Sequence, residues 1–578
     1  MSRDDDRKAK TEFILLLCIC LLALAGLYAG WKLFWFLTDD AYIAFRYVSN
    51  SWLGRGYVWN AAPFLPVEGY TSFLWVVVLD LAWRMTDIEP PDSANGIAFF
   101  FSYLTLLASA LILYRLNWSS RLKGSRIVFV AGLMVFLLVN RSFLAWSSSG
   151  LETAMFCFLV TAWVLVFTSK INATKQVFLG SLTAACLTLT RPDGLLYCLA
   201  TIAFVGLFAL RAGNGKYAVR LILNALPLLI VVLHGCWRYL FYGSLLPNTY
   251  YAKVVEPWPQ SGARYALSFL LEYALWFVFA VLAWVCVAWL ASLMRQPRIS
   301  DTAWPRRARE FLNIDHIAVI GTTVTFLIHV SYYTFIVGGD HFEFRVYNHI
   351  IPFCFIALVW GLNRLRLSRG VALVLTSAFI LLSLPVQWTQ WALAKELNTR
   401  RDTHVMIVPI AQSWPGFVRW YAELFDDLQS WLILHHVGMR HQEHKIFWKY
   451  QLHIFPSRQE GAGIPSDGYP VFLAPAVGVP GWVMPHVNIL DTHGLNDFVI
   501  ARTPVPDERV RLMAHSRQAP SGYLESFRPN VSLTGEGLTL SERKLPLSEQ
   551  EIMKIETYWR EQGKEPAVNE KRRGSPQL

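Results

Sequence analysis

Residues 13–37 form one long apolar run with a single charge, Lys32, and no other feature constrains the fold of this chain as strongly. At 1.5 Å per residue a helix of that length crosses a hydrocarbon core of about 30 Å. Comparable runs recur to about residue 388, and the 578 residues are 54% hydrophobic and 15% aromatic but only 16% charged. The composition is that of a polytopic α-helical membrane protein. The first run contains Ala23-Leu24-Ala25, as a cleavage site would. It is longer than the h-region of about 7 to 15 residues in a signal peptide, so it reads as a retained anchor.

About eleven spans are expected: the first, then 95–114, 126–141, 151–169, 177–190, 194–210, 219–240, 265–294, 313–337, 347–363 and 370–388. The apolar piece 73–83 is short and carries Asp80, which places it at the interface. That choice gathers the basic clusters on one side: Arg115, Arg121, Lys123 and Arg126; Lys170 and Lys175; Arg211, Lys216 and Arg220; Arg295, Arg298, Arg306, Arg307 and Arg309; Arg364, Arg366 and Arg369. By the positive-inside rule these loops are cytoplasmic, and the net charge of +11 implies no nucleic-acid partner. The N-terminus falls on the same side. With an odd number of spans, 389–559 then forms a soluble domain, α/β or mixed, on the outer side, followed by a disordered tail over 560–578. The eight cysteines, none beyond residue 354, form neither a disulfide framework nor a CxxC zinc pattern.

The same topology collects polar groups on the outer face. Asp39 and Asp40 open the first outer loop, 38–94, where a helix would put Asp39, Ile43 and Arg46 on one face. Glu68 to Ser72, Ser149 to Thr153, Thr190 to Gly194, Leu246 to Lys253 and Gly338 to Arg345 join them. Each has a structural alternative. The aspartates could cap a helix, Arg191-Pro192-Asp193-Gly194 could be a tight turn, and Lys253 could snorkel to headgroups. Gly338-Gly339-Asp340 could be a helix C-cap followed by an N-cap, and Glu152 could offset a helix dipole. Their convergence suits an enzyme that draws an amphipathic donor from lipid, with its phosphate at headgroup depth and its acceptor in water. A transporter would instead carry ionisable groups near the midplane. Among His435, His436, His441, His444 and His453, the pair His441 and His444 would share a helix face. Lacking HExxH or equivalent spacing, they read as a solvated helix that holds an acceptor rather than as a zinc site.

Asp-Asp-Ala-Tyr-Ile-x-Phe-Arg-Tyr at 39–47, Glu-Gly-Tyr-Thr-Ser-Phe-Leu-Trp at 68–75, Ser-Gly-Leu-Glu-Thr at 149–153, Arg-Pro-Asp-Gly at 191–194, Leu-Pro-Asn-Thr-Tyr-Tyr-Ala-Lys at 246–253 and Gly-Gly-Asp at 338–340 occur together. With Leu490 to Asp497 and Ile500-Ala501-Arg502, this set resembles the AftB-like arabinofuranosyltransferases, a family that includes the type IV pilin arabinosyltransferase of Gram-negative bacteria. The resemblance implies a GT-C glycosyltransferase of the bacterial cytoplasmic (inner) membrane, with its active site on the periplasmic side. It would move a sugar, D-arabinofuranose in this family, from a polyprenyl-phosphate donor to a glycan or protein acceptor. Asp39 or Asp40 is implied as general base or as ligand of a divalent cation (Mg2+, Mn2+ or Ca2+), and Asp39, which shares a face with Arg46 and lies nearer the end of the first span, is the one expected to be essential. Arg345 and Lys253 are implied at the donor phosphate, with Arg46, Asp340 and Arg191 beside them; Arg46 could instead pair with Asp39. Glu68, Tyr70, Glu152, Asn248 and Tyr250 are acceptor-side or structural-loop residues. The rival readings are a mannosyl or other sugar transferase with the same donor type, and a non-enzymatic carrier of a lipid-linked sugar.

Overall fold

The computed structural model describes residues 3–253, 256–294, 314–505, 511–513, 517–535 and 537–562. Eight helical segments among them are long and apolar enough to cross a membrane: Lys10–Phe34, Pro90–Tyr114, Pro192–Arg211, Gly215–Tyr242, Leu275–Ser292, Ile317–Val337, Arg345–Arg364 and Arg369–Ala394. The protein is thus a multi-pass, mainly helical membrane protein. The other three expected spans form the helices Arg126–Leu138, Thr153–Thr168 and Ala173–Thr190, of 13, 16 and 18 residues. Their ends follow local chemistry. Asn172 caps Ala173–Thr190 by accepting the Thr174 amide at 2.9 Å, and Asn140 stops the continuation past Leu138 by capping a new short helix, Arg141–Ala145.

Two boundaries differ from the expectation. The span expected over 265–294 is two helices, Pro259–Glu272 and Leu275–Met294, broken at Ala274, whose φ is +50°. Glu272, the last residue before the break, is a buried acid paired with Arg141 and Arg440, so the chain turns where a carboxylate has to be satisfied inside the protein. The tail expected over 560–578 does not begin at residue 560. Arg560 lies within the helix Glu549–Gln562, pairs with Glu556 at 2.9 Å and donates to the Leu65 carbonyl at 3.1 Å. Residues 563–578 lie outside the described residues.

Beyond Ala394 the described chain mixes short helices with two small sheets, a parallel pair (Val471–Ala474 with Asn488–Asp491) and an antiparallel hairpin (Val531–Thr534 with Gly537–Leu540). Phe472, Val479, Trp482 and Ile489 from this region belong to the same apolar core as Phe45 and Tyr47 of the first loop and Leu133 and Leu358 of the membrane part. The helix Asp39–Trp52 lies at this junction. The segment 73–83 forms the helix Phe73–Thr86, whose Asp80 pairs with Arg84 at 3.0 Å.

Candidate functional site

Thr38, not either aspartate, caps the helix Asp39–Trp52: its side-chain oxygen accepts the Ala41 amide at 3.1 Å, and its own amide bonds the Ser149 carbonyl at 3.1 Å. The two aspartates are therefore free for other partners, and they find different ones. Asp39 is buried, and its carboxylate accepts the amides of Gly478 (3.2 Å) and Val479 (2.8 Å). It bolts the first loop to the region beyond residue 394. A side chain at 478 would collide with the Asp39 backbone carbonyl, which is why glycine stands there. Burial pushes the Asp39 carboxyl up to about 7 despite the two amides, and the charges of Asp40 and Asp491 add to the rise. Asp40 is only half-buried and has neither a hydrogen bond nor an ion pair among the described residues.

Arg46 shares a helix with Asp39 but does not pair with it. Its guanidinium is buried and donates to four backbone carbonyls: Trp59 (3.1 Å), Gly481 (2.9 Å), Met484 (2.8 Å) and Val487 (2.8 Å). A phosphate could reach it only by displacing these bonds, so its geometry is that of a clamp between the first loop and the 481–487 turn.

The motif at 149–153 sits directly against the aspartate-bearing turn. Gly150 takes a φ of +76°, and any side chain there would strike Ala41 and Leu37. Two residues on, Glu152 pairs with Arg191 at 3.4 Å, and Arg191 holds Asp193 through Nε (3.0 Å) and a second nitrogen (3.2 Å) while also reaching the Tyr333 hydroxyl at 3.1 Å. The Arg-Pro-Asp-Gly segment is indeed a tight turn, and its two charged residues also form one end of an ion network.

Asp340 and Arg345 form a bidentate pair at 2.8 and 3.2 Å. Burial works to raise the Asp340 carboxyl, but Arg345, Lys253 and Arg191 outweigh it and hold it below the usual carboxylate range. Lys253 ends the short helix Asn248–Lys253, is half-buried and makes no ion pair among the described residues. It is the cation of this group with a charge to spare, whereas Arg345 already spends its fork on Asp340.

Of the residues expected on the acceptor side or in structural loops, Asn248 is a joint between motifs. Asn248 donates to the carbonyls of Gly494 (2.9 Å), Leu495 (3.1 Å) and Asp497 (2.9 Å), accepts from Arg502 at 2.8 Å, and bonds the Glu68 carbonyl through its amide at 2.8 Å. Glu68 is buried, with Arg238 2.7 Å away but not in hydrogen-bonding alignment, and burial pushes its carboxyl up to about 7. Tyr70 meets the Tyr242 hydroxyl at 3.1 Å. Tyr250 is exposed, with its ring against Tyr251.

One set of charged residues escaped the sequence reading. Arg141, Glu272, Glu343 and Arg440 are all buried and close a four-membered ring of ion pairs: Arg141–Glu272 (2.8 Å), Glu272–Arg440 (2.7 Å), Arg440–Glu343 (2.7 Å) and Glu343–Arg141. No pair of them is close in sequence, so no local pattern announces the ring. Glu343 lies between Asp340 and Arg345, and this loop is further held by backbone bonds from Gly438 to Asp340 (2.8 Å), Met439 to His341 (2.8 Å) and Glu343 to Met439 (3.0 Å).

The histidine cluster is not a solvated face. His441 and His444 are buried in the first turn of His441–Ile454, where burial holds both imidazoles well below their ordinary value. His441 packs between Phe34 and Phe36, and His444 against Phe342. His435 stacks on Trp431, with ring centres 3.8 Å apart. Among the described residues no three His, Cys, Asp or Glu side chains are grouped to hold a metal ion. Both Asp39 oxygens accept amides, so of the two carboxylates expected to hold a divalent cation Asp40 is the one without a hydrogen-bond partner among the described residues. Comparison with protein-family models, with curated proteins and with solved structures gives no match.

Proposed function

We propose that the protein is a GT-C-type membrane glycosyltransferase that moves a sugar from a polyprenyl-phosphate donor to a glycan or protein acceptor. The observation that carries this reading is the split between the two adjacent aspartates: Asp39 is consumed by backbone amides, and Asp40 is left half-exposed and unpaired at the end of a membrane span. Asp40 is then the general base. The acceptor hydroxyl oxygen bonds to the anomeric carbon, the bond from that carbon to the phosphate oxygen breaks, and the hydroxyl proton passes to Asp40. The polyprenyl phosphate leaves with the bonding electrons.

Lys253 receives the donor phosphate as a point charge, and Asp340–Arg345 orients it from behind. Glu152 and Arg191 extend the charged surface from the aspartate turn toward this pair. The motif resemblance makes D-arabinofuranose the first sugar to test, and membership of the AftB-like family is part of the same proposal. With the three shorter helices counted as crossings the membrane part has eleven, and the region beyond residue 394 faces the periplasm of a bacterial inner membrane.

The test is transfer by the purified full-length protein in nanodiscs, given synthetic polyprenyl-phosphoryl arabinofuranose, the corresponding mannose donor, and a panel of glycan and peptide acceptors. A glycosylated product with release of polyprenyl phosphate is expected. If a folded preparation transfers no sugar from any donor, the reading is wrong; transfer from the mannose donor alone would overturn only the sugar assignment.

A further inference from the structure

Beyond the last span the fold leaves a group of large apolar side chains uncovered. Ile410, Trp414, Phe417 and Trp420 are 45, 52, 75 and 62% exposed. They come from Val408–Ala411, the turn after it, and the first turn of the helix Gly416–Leu434. The segment is not loose. Asp426 accepts the amides of Ile407 (2.8 Å) and Val408 (2.7 Å), and Ala422, Phe425 and Leu428 bury the opposite side of the helix against Leu271, Val386 and Ile407.

What lies beneath decides what covers this patch. The Tyr421 hydroxyl donates to the Leu271 carbonyl and receives the Trp276 indole N–H at 3.3 Å. Trp276 is the second residue of the helix Leu275–Met294, at the mouth of one membrane span. Val386 belongs to the span Arg369–Ala394, at the end away from the basic loop of Arg364, Arg366 and Arg369. The helix that carries the patch therefore rests on the ends of two spans, at the level where tryptophans concentrate between headgroups and acyl chains. Glu423 and Asp427 follow on the exposed side one and two turns after Trp420, so the apolar patch at the start of the helix ends there.

We propose that Ile410, Trp414, Phe417 and Trp420 enter the headgroup–acyl boundary of the bilayer and form an interfacial anchor that seats the region beyond residue 394 on the membrane. The occupant is lipid, because the helix that carries the patch packs on the ends of two spans and so sits at the membrane surface. Seating has a structural consequence: the same helix leads to residues 437–440, which pair with 340–343, so the anchor sets the height of the Asp340–Arg345 loop above the membrane.

The test places single cysteines, Phe417→Cys, Trp420→Cys and Asp427→Cys, in the full chain with its eight cysteines replaced, labels them with nitroxide, and reconstitutes each into phosphatidylethanolamine–phosphatidylglycerol vesicles. Power saturation should give a several-fold higher oxygen-to-nickel-chelate accessibility ratio at 417 and 420 than at 427. Equal ratios would put the patch in water, and exclusion of both reagents would put it against protein; either overturns the anchor. The unaltered protein in nanodiscs provides a second reading by hydroxyl-radical labelling. Phe417 and Trp420 should label less than Tyr558, which is 55% exposed and so less exposed than either, and labelling at or above its rate also overturns the proposal.

Discussion

Two clusters of charge lie in this protein, and they are built on opposite terms. In the ring of Arg141, Glu272, Glu343 and Arg440 every charge meets an opposite one, and all four side chains are buried. Among the residues assigned to the proposed site, Asp340 and Arg345 close one pair, while Asp40, on a different segment, and Lys253 stay half-buried with no ion pair among the described residues. A buried charge can be kept only if it is paired. A charge that is to meet a substrate has to be left unsaturated and near solvent. The first cluster is therefore a fastening between the membrane helices and the region beyond residue 394, and the second is where chemistry with a ligand is possible.

Substitutions should separate the two clusters. The largest loss is expected from Arg440→Ala, which strands Glu272 and Glu343 as buried anions. Removing one partner of a buried pair costs about 3–5 kcal/mol, and thermal unfolding of the detergent-solubilised protein should show it. A Tm unchanged from wild type would mean that the ring is not a fastening. Next comes Asp39→Ala, which leaves the buried amides of Gly478 and Val479 without an acceptor at about 1–3 kcal/mol each. Lys253→Ala should leave unfolding within about 0.5 kcal/mol of wild type, as a side chain outside any buried network does. It should instead raise the donor KM about 10- to 100-fold through loss of a charge-assisted contact; an unchanged KM would remove Lys253 from the site.

The smallest effect is on pH dependence. The folded values of about 7 for Asp39 and Glu68 lie above their unfolded values of 3.8 and 4.5, so the folded state binds more protons between those limits. For these two groups stability is therefore highest at low pH and declines as pH rises through about 4 to 7. Asp39→Asn deletes one of the two contributions. The Tm difference between this variant and wild type should move in the variant's favour from about pH 5 to about pH 8, and a difference independent of pH would contradict the buried setting of Asp39.

The motifs legible in the sequence turn out to be partners in space. Asn248 bonds Gly494, Leu495 and Asp497, and Tyr47 meets Asn496 at 3.2 Å, so the segments 246–253, 39–47 and 490–502 are parts of one structure. Apolar run length located eight spans because hydrocarbon thickness fixes helix length regardless of tertiary context. Periodicity could not say which aspartate is free. That depends on the amides of Gly478 and Val479, some 440 residues away along the chain. It also put Asp39 and Arg46 on one face without revealing that Arg46 is taken up by four carbonyls. The burial of His441 and His444 was hidden for the same reason: their surroundings, Phe34, Phe36 and Phe342, come from far-off segments.

The central claim is that, of two neighbouring carboxylates, Asp40 does chemistry and Asp39 holds the fold. Asp39→Asn and Asp40→Asn, each checked for membrane abundance and Tm, should be compared for sugar transfer from a polyprenyl-phosphate donor. Asp40→Asn is expected to keep the wild-type Tm and lose about 100- to 10,000-fold in kcat, the usual cost of deleting a general base. Asp39→Asn is expected to lower Tm and retain most of the turnover of its folded fraction. Wild-type transfer by Asp40→Asn, or loss confined to a fully folded Asp39→Asn, would contradict the account.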